Sequence, residues 1–172
     1  MKQSHKNVLK WVLYLLLLLV FYTLQTTPGL FQIMGVKPVL IVPFALCVSM
    51  FEGELGGAVI GILTGLLWDV SSGRLLGYNG LMMMAFCIVV ALLVMYLMRA
   101  NWLNTVLLCG AVMLVQGLLD FVFYYAMWGY SGVSAILVQV ILPTALYTVL
   151  ISPLMFLLVR KMAMTFNEVV RV

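Results

Sequence analysis

Charge is what this sequence has least of. Only 8% of its 172 residues are Asp, Glu, Lys or Arg and 66% are hydrophobic, whereas soluble domains carry about a quarter charged residues. With a mean hydropathy of +1.22 the chain is excluded from the soluble class and reads as a membrane protein. Histidine is nearly missing. The single copy, His5, sits in a basic leader, so neither a Ser-His triad nor a histidine-rich metal centre can be built. Cysteine is sparse too: Cys47, Cys87 and Cys109 lie in apolar stretches without C-x-x-C spacing, which predicts packing residues and no metal site. Long polar stretches are also lacking. Six spans of about 20 residues would use roughly 120 positions, which leaves no room for an appended nucleotide-binding, nucleic-acid-binding or extracellular catalytic module. No small-x-small cleavage site follows the apolar run Trp11 to Tyr22, so the first segment is expected to remain as a span.

What is present divides at charges and turn residues into six apolar segments, at about 9–25, 37–51, 55–70, 78–98, 102–127 and 133–159. The expectation is an all-α membrane bundle of six transmembrane helices in one domain, joined by short loops. Lys2, Lys6, Lys10, Arg99, Arg160, Lys161 and Arg171 fall on one face and Lys37 and Arg74 on the other. The excess of positive charge predicts that both termini are cytoplasmic, and it reads as topology, with no nucleic-acid partner implied. The second segment is short, carries Pro38 and Pro43, and turns at Phe51-Glu52-Gly53-Glu54 into the third, which predicts a tight helical hairpin covered by neighbours. Pro143 and Pro153 in the sixth segment are expected to bend it.

The third segment is the most specific. Gly53, Gly57, Gly61 and Gly65 recur every fourth residue and Asp69 follows at the same spacing, so one helix face is stripped of side chains and ends in a carboxylate. Such a stripe lets another backbone approach closely, so a second helix must lie along it. Glycines alone fit a neighbour from the same chain; with the acid at its end, the ridge is expected to dock the span of another protein.

An acid near the membrane interior costs about 2.5 kcal/mol or more unless it is paired or wetted. Gln116, Asp120 and Tyr124 share a face of the fifth segment, and Asp120 lies about 12 Å below Trp128 at the helical rise. The cations expected at this level are Lys37 and Arg74. A polar cluster of Lys37, Asp69, Arg74, Gln116 and Asp120 is therefore predicted in the outer half, either as a structural ion-pair network or facing a partner or small cavity. No nucleophile, metal-ligand set or oxyanion-type loop accompanies the two carboxylates, so no catalysis and no cofactor is expected.

The string G-x-x-x-G-x-x-x-G-x-x-x-D-x-x-S-G-x-x-x-G, through Gly57, Gly61, Gly65, Asp69, Ser72, Gly73 and Gly77 and preceded by Lys37-Pro38, resembles the MreD family of rod shape-determining proteins. The likeness extends over about residues 37 to 98 and returns at Leu118-Leu119-Asp120-Phe121. The resemblance implies a multi-pass protein of the bacterial cell membrane. It would bind the single transmembrane helix of MreC and support RodA and a class B penicillin-binding protein in peptidoglycan synthesis. It also implies a bundle similar to the substrate-binding subunits of energy-coupling-factor vitamin transporters. A transporter subunit is therefore the alternative, although the stretch from Thr26 to Gly35 is short for the lid of such a cavity. On the family reading Gly61, Gly65, Asp69, Gly73 and Gly77 form a signature hairpin and Asp120 lies in its partner helix, all without a catalytic role.

Overall fold

The computed structural model describes residues 2–29, 36–73, 75–124 and 141–166. The regular elements among these residues are α1 (Lys2–Thr26), α2 (Ile41–Ser72), α3 (Tyr78–Tyr96), α4 (Trp102–Tyr124) and α5 (Leu142–Phe166). All five are long and apolar enough to cross a membrane. Arg74, Trp128 and the expected segment ends at 125–127 and 133–140 lie outside the described residues.

Among the described residues five helices are long enough and apolar enough to cross a membrane, and the expected second and third segments are the two limbs of one of them, broken at Gly53. Its φ of 79° and ψ of −169° lie in a region that only glycine adopts readily. A Cβ on Gly57 would lie 2.6 Å from the Cβ of Ser49, whereas eight residues of unbroken helix would separate the two by about 12 Å. The chain therefore doubles back at Gly53. The limb before the break, Ile41 to Glu52, rises only about 18 Å, too little to cross a hydrocarbon layer of about 30 Å.

That short limb is the centre of the molecule. Every residue from Pro38 to Met50 is buried, in keeping with a helix that is apolar on all sides. Tyr14, Leu18 and Phe21 of α1, Leu108, Cys109 and Val112 of α4 and Phe156 and Val159 of α5 belong to the same core cluster. Phe21 and Phe44 pack with ring centroids 5.3 Å apart. All three cysteines are free and buried. The limb is entered through non-helical backbone at residues 37–39, whose polar groups have no helical partners. Side chains of other helices meet this entry: Val39 N–H donates to Thr148 Oγ1 at 3.0 Å, and Ile41 N–H, in the first turn of α2, to Gln25 Oε1 at 3.4 Å. Irregular backbone survives in a membrane protein when it is enclosed in this way.

The last helix ends later than expected, running through Arg160 and Lys161 to Phe166. Pro153 is interior and leaves the Val149 carbonyl without its helical donor. Ser152 Oγ replaces that donor, at 2.7 Å.

Candidate functional site

Helix α3 runs antiparallel to the second limb of α2 along the glycine stripe. A Cβ at Gly61 would come within 2.7 Å of the Met83 carbonyl oxygen, and one at Gly65 would overlap the Asn79 carbonyl. One at Gly57 would touch the Cys87 carbonyl oxygen at 3.4 Å. Successive glycines on α2 thus meet carbonyls four residues apart on α3, so two backbones lie in direct contact and gain dispersion and C–H···O interactions. The expected occupant of this groove is corrected. It is a helix of the same chain, and α3 leaves no space there for a span of another protein.

The acid that ends the stripe completes the same contact. Asp69 is 1% exposed. Its Oδ2 accepts from Gly77 N–H at 2.8 Å and Gly80 N–H at 3.4 Å. Its Oδ1 accepts from Asn79 N–H at 3.2 Å and Asn79 Nδ2 at 2.9 Å. The first turn of a helix presents unsatisfied N–H groups and the positive end of its dipole, so a carboxylate is the matching group. Asp69 is therefore the cap of α3, supplied by α2. No cation among the described residues pairs with it, contrary to the expectation for Lys37, because the start of α3 compensates the charge. Of the other glycines in the pattern, Gly53 makes the reversal, while Gly73 and Gly77 take left-handed conformations in the connection from α2 to α3.

From Asp69 the polar groups continue in a chain. Asn79 gives its amide N–H to Asp69 and accepts from Gln116 Nε2 at 2.6 Å, and Gln116 Nε2 also lies 3.4 Å from Asp120 Oδ1. Asp69, Gln116 and Asp120 are thus brought together, through Asn79, across α2, α3 and α4. Gln116 and Asp120 also line a cavity of about 160 Å³ with Trp68, Met113 and Thr144.

Lys37 stands apart from this chain. Its ammonium lies 3.5 Å from the Thr27 carbonyl, just beyond the C-terminal end of α1, and it lines an open pocket of about 460 Å³ with Tyr22, Gln25, Thr26 and Ser71. At the reversal in α2, Lys10 Nζ meets Glu52 Oε2 at 2.5 Å and Tyr14 Oη donates to Glu52 Oε1 at 3.0 Å. Both charged side chains of this pair are only 7% exposed.

The sequence reading missed Asn79 and the Lys10–Tyr14–Glu52 group. Asn79 is a lone amide in the first turn of an otherwise apolar helix, ten residues after Asp69, and that position was its only signal. Lys10 and Tyr14 are one helical turn apart on α1, which puts both on one face.

No curated protein and no solved structure matches the chain. A family model described as rod shape-determining protein MreD matches residues 5–166, nearly the whole chain, including the stripe, its capping acid and Asp120. This chain belongs to the MreD family.

Proposed function

We propose that this protein is a non-enzymatic membrane scaffold for cell elongation, which holds MreC in place and so supports RodA and a class B penicillin-binding protein. Membership of the MreD family carries the role in rod shape determination. The observation that favours a scaffold is where the buried charge is used. Asp69 is committed to four donors of one helix start, and Glu52 to Lys10 and Tyr14. These groups fix three helices against each other, the property a positioning element needs. With the glycine stripe filled by α3, MreC is received elsewhere on the bundle.

The reading places the protein in the bacterial inner membrane with both termini cytoplasmic, from the asymmetry of Lys and Arg along the chain. The Asp69 end of α2 then faces outward, beside the extracellular part of MreC.

Affinity purification of the tagged protein from its own membranes tests this reading. MreC is expected to co-purify with the wild type, and cells carrying only a variant that cannot retain MreC are expected to lose their rod shape. Purification of a folded wild-type protein without MreC would overturn the proposal.

A further inference from the structure

Where α1 begins and α5 finishes, both helices pack on α2 more than on each other, which leaves an open groove of about 370 Å³ between them. Leu13 and Leu17 of α1 and Leu158, Met162 and Phe166 of α5 line it. Each set falls on one face of its helix, and from Leu158 to Phe166 the groove follows about 12 Å of helix rise. Its walls are carbon. One turn deeper, Leu154 and Val20 continue the two faces and are 65% and 41% exposed, so the apolar path runs on toward the middle of the bilayer.

Two polar side chains complete the lining. Thr165 Oγ1 donates to the Lys161 carbonyl of its own helix at 2.8 Å, so its hydrogen is spent. Lys161 is exposed, and no acid is among the lining residues. Lys10, one turn before Leu13, is buried and committed to Glu52 instead. A lysine lays its methylene stem along apolar surface and keeps its ammonium at the polar boundary, so Lys161 sets a positive charge where the groove meets the headgroups. The matching occupant is amphiphilic and anionic. A small inorganic anion would leave the apolar walls uncovered, an uncharged lipid would not use the ammonium, and the surrounding leaflet supplies molecules with both parts.

We propose that this groove is a binding site for one anionic phospholipid of the leaflet on the side of the termini. Its phosphate meets the Lys161 ammonium, and one acyl chain lies between Leu13 and Leu17 on one side and Leu158 and Met162 on the other. Basic pockets between spans seat anionic headgroups on the cytoplasmic side, to which the asymmetry of Lys and Arg assigns this end. The site does not depend on the scaffold reading, since it concerns a lipid and not MreC.

The test is native mass spectrometry of the purified protein in detergent, offered phosphatidylglycerol and phosphatidylcholine with the same acyl chains in equal amounts. One bound phosphatidylglycerol is expected, favoured about fivefold over phosphatidylcholine, the order of effect of one lysine near a charged membrane surface. Lys161→Gln should remove the preference. Arg160→Gln, whose side chain does not line the groove, should keep it. Leu158→Trp fills the apolar end and should lower retention of both lipids; if that variant does not fold, Lys161→Gln, at an exposed position, gives the reading. Equal retention of the two lipids by the wild type, a preference that survives Lys161→Gln, a preference lost as fully in Arg160→Gln, or a dimer of the chain in place of the lipid complex would each overturn the proposal.

Discussion

Two acids on α2 face the same difficulty and meet it differently. Glu52, at the reversal, is matched by the side chains of Lys10 and Tyr14 from α1. Asp69, at the far end of the second limb, is matched mostly by backbone N–H groups at the start of α3. A side-chain pair can be exchanged for apolar residues, because both members can be replaced. Backbone donors survive every substitution except proline, so the second acid is bound to its position by the fold itself. The glycine stripe strengthens that difference, since it brings the start of α3 within reach of Asp69.

The largest expected effect comes from breaking that approach. Gly65→Leu puts a branched side chain where Asn79 backbone already lies, and strain beyond the usual overpacking cost of about 1–3 kcal/mol should leave no monodisperse protein in detergent. Gly110→Ala is the control. Its new Cβ would meet only a methyl group of Val149, at 3.7 Å, so the variant should keep or slightly raise the thermal midpoint.

Next comes the cap itself. Asp69→Leu leaves three N–H groups and the Asn79 amide without this acceptor, an expected loss of roughly 4 kcal/mol. Asp69→Asn keeps one oxygen and should lose about half as much. Equal losses in thermal or denaturant unfolding would show that the carboxylate does not cap α3.

The smallest effect is expected at the other acid. Glu52→Leu deprives Lys10 of this carboxylate and should cost about 3 kcal/mol. Adding Lys10→Met and Tyr14→Phe should recover most of the loss, because apolar groups of similar volume then replace the desolvated ion pair and the hydroxyl that lost its acceptor. No second substitution should rescue Asp69→Leu in this way. Rescue of both acids, or of neither, would remove the distinction between them.

Much of this was legible in the residues. Four-residue spacing from Gly57 to Asp69 marked a bare ridge ending in an acid, and Phe51-Glu52-Gly53-Glu54 marked the reversal. The partners were harder to read. By residue type the partners for Asp69 are the cations Lys37 and Arg74, because backbone donors belong to nearly every residue type and leave no mark in composition. Lys10 read as a membrane-end anchor because its contact with Glu52 spans 42 positions of sequence.

The sequence by itself determined that this chain is a membrane protein, where its apolar segments lie, which face of α2 is bare, and the family it resembles. Each of these is a property of local spacing or of summed hydropathy, and both survive without knowledge of the neighbours. Only the tertiary structure decided that α3 fills the stripe, that Asp69 caps a helix, and that the first limb of α2 is a half-length helix enclosed by α1, α4 and α5. A periodic face records that something packs against it, but the identity of that neighbour depends on which segments the whole chain brings together.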